Sequence, residues 1–269
     1  MTQSGHLQTH DLGMTETQEI PWKRISVEAA AIVTSILLAF SIDAWWDEYQ
    51  DRQRERKILE VLLVEFEWMK DQLEWDRNYY GAIKASALRL VDIGTGVGKS
   101  ASDEEIDRLL EDLWWWSLPE TWSSAGLRSV VSSGGLALIS NEDLRRDIGG
   151  WPVILSSVRD VVSREHDFYR DRFMPYLSRH ASLQQLAMIT DGTPGNPESS
   201  YDWGHTFELK KKRSHREMLS RQEFQNLLIE RASNLNDILV IALGNDPYSG
   251  YVADSIEPTI RLLRQELAK

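Results

Sequence analysis

Gly98, Lys99 and Ser100 are the residue types that close a phosphate-binding loop, where backbone N–H groups cradle a phosphate that the lysine also reaches. Such a loop needs four residues between its first glycine and the Gly-Lys-Ser, with a buried strand before it and a helix after it. Gly94 leaves only three, and the preceding segment reads as a helix, so a nucleotide site is rejected. Glu165, His166 and Asp167, with Asp171 and His180, are potential metal ligands or acid–base groups. Adjacent residues diverge around a helix, and no His-x-x-x-His or Glu-x-x-His spacing recurs on a second helix, so these five read as helix surface. No Gly-x-Ser-x-Gly elbow presents a serine, and the absence of cysteine excludes thiolate catalysis, thiolate metal sites and disulfides. His6 and His10 read as solvated residues of a loose tail. The sequence therefore assigns no catalytic residue, no cofactor and no metal.

A different kind of chemistry is offered by Glu28 and Asp43, which bracket the uncharged run Ala29–Ile42. Ionisable groups at membrane depth mark packing contacts or ion and proton paths. On a helix Glu28, Ala31, Ile32, Ser35, Ala39, Ile42 and Asp43 share one small, acidic face, while Val33, Leu37 and Phe40 form the opposite, lipid-like face. Small residues at four-residue steps let two helices approach closely. Two readings stay open. In one, Glu28 and Asp43 are interfacial, Trp45 and Trp46 form an aromatic belt, and the segment only tethers. In the other, Glu28 faces a partner helix or a wet lumen in a homo-oligomer.

These residues are positioned by one segment, 21–46, the only stretch apolar and long enough to cross a bilayer core of about 30 Å at about 1.5 Å per residue. Residues 1–20 are polar, without apolar periodicity or a basic start, and read as a flexible tail rather than a signal peptide. Residues 47–269 read as a helical-bundle domain. No proline follows the span for a long way, so it is expected to run on as one helix. Leu59, Leu62, Phe66, Met69, Leu73, Tyr80, Ile83, Ala87 and Leu90 give that helix an apolar stripe that Asp76 interrupts. Glycines of the 94–102 loop end it, and Ser102 with Glu105 makes a capping box for the next helix. That helix closes on Trp114, Trp115 and Trp116, whose rings point three ways. They form either a partner-binding patch or packing beneath the loop that brings Trp122.

Leu127–Ser132 reads as a short helix stopped by Ser133, Gly134 and Gly135, and Ser140 or Asn141 caps the next one. From Pro152 to Met188 an amphipathic helix is expected, kinked or ended at Pro175. A second loop spans 190–208, and Lys210–Arg213 with His215 and Arg216 is the one basic cluster, suited to a solvated helix start or to an anionic surface. Two more helices follow, the first closing at Gly244 and the last running from about Tyr251 to Ala268.

The run SGGLALISNEDLRR, preceded by VEAAAIVTSILLAFSIDAWWDE and a charged helix, resembles a family of uncharacterised bacterial single-span membrane proteins. The resemblance covers roughly residues 20–267: Glu28 takes the family's early glutamate, Ser133 and Gly134 its turn, Leu144 and Arg145 its next helix start. The chain departs from it at Asp43 and Ala44, where the family carries amides, and at Gly135. The resemblance implies architecture and membrane location, and no activity.

A net charge of −12 leaves no broad basic surface to neutralise phosphates, which argues against nucleic acid as a partner. The expected fold is all-α: a transmembrane helix continuous with a long amphipathic helix in a bundle of about five or six helices. The expected role is that of an interaction, scaffold or sensor protein of the bacterial inner membrane. Its expected partners are the lipid bilayer and either further copies of itself or another membrane protein. A homo-oligomeric ion- or proton-conducting assembly using Glu28 is the alternative. The count of Lys23 and Arg24 before the span against Arg52, Arg54, Arg56 and Lys57 after it favours a cytoplasmic domain, but the first two abut the span while the others lie beyond Asp47 and Glu48, which tilts the expectation slightly towards the periplasm.

Overall fold

The computed structural model describes residues 22–97, 100–115, 125–189, 194, 208–209, 211–244 and 252–269, with side chains from Ser26 onward. His6, His10, Lys99, Trp116, Trp122, Lys210 and most of the 190–208 loop lie outside the described residues. Every regular element among the described residues is helical. Two compact units divide the chain, residues 1–51 and residues 52–269.

The first helix, α1 (Trp22–Thr95), is a single element of 74 residues. Its interior holds no proline, and its charged stretch from Asp47 to Lys57 supplies local pairs such as Arg56 Nε to Glu60 Oε1 at 3.2 Å. Within residues 52–269 the predicted stripe is met residue for residue: Leu59, Leu62, Phe66, Met69, Leu73, Tyr80, Ile83, Ala87 and Leu90 are all buried. Asp76 is buried too, and Gln72 donates to it at 3.0 Å.

Short helices dock around this stripe. Ser102 accepts from the Glu105 N–H and caps α2 (Asp103–Asp112), which supplies Ile106 and Leu110 to the core. The first turn of α3 (Ala125–Ser132) is capped from across the bundle, because Glu65 of α1 accepts from the N–H groups of Gly126 and Leu127 at 2.5 and 2.7 Å. Gly134, at φ 78°, makes the left-handed turn into a 3₁₀ segment, Gly135–Leu138. Asn141 then caps α4 (Glu142–Phe168), accepting from Asp143 and Leu144.

Helix α4 therefore starts earlier than the Pro152 expected from sequence and runs through that residue. An interior proline costs about 3 kcal/mol. Ile148, Trp151 and Leu155 around it are buried, each contributing about 1.5–3 kcal/mol on burial, so packing wins. Pro175 likewise fails to end the helix. A π-turn, Tyr169–Phe173, precedes it, with the Met174 N–H reaching back five residues to the Tyr169 carbonyl, and the chain continues as α5 (Met174–His180). After α6 (Leu183–Leu186) and α7 (Arg216–Leu219), α8 (Gln222–Asp237) passes into a second π-turn, Ile238–Ala242. The last helix is α9 (Ala253–Leu267). Gly94 sits inside α1 where any Cβ would come 2.3 Å from the Leu219 carbonyl oxygen; the glycine allows close approach to the end of α7.

Three helices meet where the Phe66 and Trp151 rings pack edge to face at 4.8 Å and the Trp151 indole N–H donates to Thr259 at 3.1 Å. Phe66→Ala is expected to destabilise the domain by about 3–5 kcal/mol through the cavity it leaves. A urea titration should show the midpoint fall at unchanged slope.

Candidate functional site

Residues 26–46 of α1 carry the one apolar window, among the described residues, that is long enough to cross a membrane, and no described residue buries any of it. Val27 and Phe40 are 69% and 66% exposed. Glu28, Ser35 and Asp43 are exposed on the same helix. The Ser35 hydroxyl donates to the Ala31 carbonyl at 2.8 Å and that of Ser41 to Leu37 at 2.7 Å, so the helix itself satisfies both donors. Towards the end of the segment the rings of Trp45, Trp46 and Tyr49 gather, with centroids 5.8–6.4 Å apart. A helix of this kind can face acyl chains or another helix.

Trp114 and Trp115 are half-buried against the core at the end of α2. The Trp115 indole N–H donates to Glu111 at 2.7 Å, the Tyr169 hydroxyl donates to the Trp114 carbonyl at 2.5 Å, and Arg231 donates to the Trp115 carbonyl at 2.5 Å. Two of the three tryptophans thus pack on the domain that carries them.

Arg231 belongs to a buried polar cluster that no sequence motif announced. Its guanidinium lies 4.7 Å from the ring centroids of both Tyr169 and Phe173, and its Nε is 3.5 Å from Glu165 Oε1. Both side chains are about 1% exposed. No hydrogen bond of good geometry reaches either Glu165 oxygen, or Nε and Nη1 of Arg231, among the described residues. Burial pushes the Glu165 carboxyl up to about 7, against the opposing pull of Arg231. The same burial holds the Arg231 guanidinium below its usual range and raises the Tyr79 and Tyr169 phenols. Glu165 sits on α4 just before one π-turn and Arg231 on α8 before the other.

The residues read from sequence beside Glu165 are not brought together with it. Asp167 and Asp171 both pair with Arg170, which holds the Asp171 carboxyl below its usual range, and His180 lies against the Tyr176 ring. No group of three metal-ligating side chains occurs among the described residues.

The basic run near position 213 hides a second cluster. His215, grouped from sequence with a basic cluster suited to a solvated helix start or to an anionic surface, is buried, with Nδ1 at 2.7 Å from Asp107 Oδ1. Its Nε2 accepts the Ser182 backbone N–H at 3.0 Å, so Nδ1 carries the proton and donates to Asp107. Both ring nitrogens are consumed, and the pair cannot act as a general base on an outside substrate. Gln185 completes the tie, donating to Asp107 at 2.5 Å and accepting the Arg213 N–H at 2.9 Å. Beside it lies an open cleft of about 300 Å³ lined by Glu104, Arg108, Met188, Leu209 and Lys212. Arg216 is spent on Asp103 and the Ala101 carbonyl.

Compared with protein-family models, curated proteins and solved structures, the chain matches none.

The raised Glu165 carboxyl fixes a pH dependence. Between about pH 4.5 and 7 the unfolded chain has released this proton and the folded chain retains it, so its contribution to stability is present at low pH and lost as pH rises. Glu165→Gln should remove a fall in unfolding free energy of roughly 3 kcal/mol across that window, read from urea titrations at several pH values. An unchanged slope would mean the carboxyl ionises normally.

Proposed function

We propose that the chain is a single-span protein of a bacterial inner membrane whose helical domain acts through contacts, as an interaction, scaffold or sensor module. One observation carries this reading: an apolar window long enough for a bilayer lies entirely uncovered on α1 and is followed by the gathered rings of Trp45, Trp46 and Tyr49. Burying apolar surface is worth about 25 cal/mol per Å², so a helix face of this size left in water would be strongly unfavourable. Lipid covers it at no cost to the polar backbone, which the helix satisfies internally. The resemblance drawn from the spans around Glu28 and Ser133 agrees with a bacterial origin.

Self-association through the small face of Glu28, Ser35 and Asp43 is the second part of the proposal. Ser35 spends its donor on its own helix, so that face offers small, closely packing surface rather than a ring of free donors. A periplasmic domain fits Lys23 and Arg24 placed directly before the span.

Membranes carrying the protein should retain it through an alkaline carbonate wash. In nanodiscs the wild type should show the mass of a defined oligomer, and Ser35→Leu should reduce it. Release by carbonate would sink the membrane reading, and a monomer in both proteins would remove the self-association.

A further inference from the structure

Within residues 52–269 most large apolar side chains are covered, but α1 leaves four exposed on one line. Val61, Val64, Trp68 and Trp75 follow steps of three, four and seven residues, and their exposure runs from 41% for Trp75 to 67% for Val64. At about 3.6 residues per turn these positions fall on one side of the helix. At Val61–Trp68 that side is opposite Leu62, Phe66 and Met69, which are buried. Spacing of this kind is the seam that a second helix reads. Tryptophan is the side chain most enriched among residues that dominate binding energy.

The charges along the seam run in a definite order. Lys57 is exposed one turn before Val61, whereas Asp71 and Glu74 are exposed around Trp75. Arg56–Glu60, Lys70–Glu257 and Arg264–Glu67 neutralise one another at the margins. The seam is therefore basic at its start and acidic at its end. Two parallel copies meeting along this seam would set Lys57 against Lys57, and Asp71 and Glu74 against themselves, so the self-association proposed through Glu28, Ser35 and Asp43 does not extend to it. Like charges facing across an interface cost stability and suppress pairing.

We infer that the Val61–Trp75 seam docks an amphipathic helix of a different protein, one with an apolar face, acidic residues opposite Lys57 and basic residues opposite Asp71 and Glu74. This rests on the reading of the chain as a membrane-anchored interaction module and names the surface and the chemistry of the partner. Trp68 is the central anchor, and the two charged ends set the partner's register and direction.

The test uses the full chain in nanodiscs of zwitterionic lipid. The probe is a labelled synthetic peptide of three heptads, leucine at the seam positions, with glutamates at one end and lysines at the other; its all-glutamate counterpart is the control. Fluorescence anisotropy should show the mixed-charge peptide binding at least about tenfold more tightly than the control. Trp68→Glu should weaken binding by about tenfold or more, while Val153→Glu, at an exposed site on α4, should leave it unchanged. Thermal unfolding by circular dichroism checks that both variants fold, and Val64→Glu serves as a second seam variant. Equal binding of the two peptides, or equal binding by wild type and both seam variants, overturns the assignment. If Trp68→Glu instead converts an oligomer to monomers, the occupant is a second copy and the partner assignment is overturned. Failure to enter nanodiscs at all would count against the membrane anchor, whereas incorporation without peptide binding would count against this seam alone.

Discussion

The structure depends on one constraint: a single helix carries two apolar surfaces, and among the described residues only one of them is covered. From Leu59 to Leu90 the stripe on α1 is buried in one core with residues of α2, α4, α8 and α9. Over residues 26–46 nothing among the described residues covers the apolar side chains. Hydrogen bonding does not distinguish the two regions, since a helix satisfies its backbone equally in both. The difference lies in which solvent each surface tolerates. Cover begins near Glu55, which accepts from Ser140, and Leu59, the first buried residue of the stripe. Polar ties then recur down the helix, from Glu65 on the α3 amides to Arg77 on the carbonyls of Leu243 and Gly244, Lys84 on Asn236 and Arg89 on Glu105. These bonds fix the rotation of α1 about its axis, which apolar contact alone specifies poorly.

Against that apolar core the Glu165–Arg231 pair stands out physically. A buried ion pair seldom adds net stability over apolar packing, because desolvation of both charges offsets their attraction. Arg231 recovers part of that cost elsewhere. Its Nη2 closes the orphan carbonyl of Trp115 beyond α2, and its planar face is covered by Tyr169 and Phe173. The arginine thus ties the end of α2 to α4 and α8 in one stroke. For Glu165 burial outweighs the pull of Arg231 and of the Asn234 side chain, so its carboxyl tends towards the neutral form. The π-turn after α4 supplies both rings that cover Arg231, Tyr169 and Phe173, and α8 passes into a second π-turn at Ile238–Ala242.

What could be read from sequence divides along physical lines. The core stripe of α1, the Ser102 and Asn141 caps and the Gly134 and Gly244 stops were legible, since each is set by residues within a few positions of one another. Interactions closed over long separations were not. His215 joins Asp107 over 108 positions, and nothing in a basic run hints that its one imidazole points inward. Trp151 sits among Gly149, Gly150 and Pro152, which read locally as a break, and the burial of Ile148, Trp151 and Leu155, with Trp151 fitted against Phe66 and Thr259, is settled by distant partners. Glu165 was picked out for the company of His166 and Asp167, yet adjacent residues on a helix face different ways, and its actual partner sits on α8.

The same separation of local from distant determinants bears on how such a chain would find a partner. Four exposed side chains on one helix make a narrow strip, well short of the roughly 800 Å² per partner of a standard stable interface. In free solution a strip of that size supports only weak, transient contact. Confinement changes the arithmetic: when two proteins share a membrane, docking becomes effectively intramolecular, with an effective concentration that can raise apparent affinity by about 10²–10⁴ without any new contact. A weak seam and an apolar anchor are then complementary requirements rather than separate features. Selection of the partner falls to the ordered charges at Lys57, Asp71 and Glu74, because apolar strips of similar width are common and discriminate little among themselves.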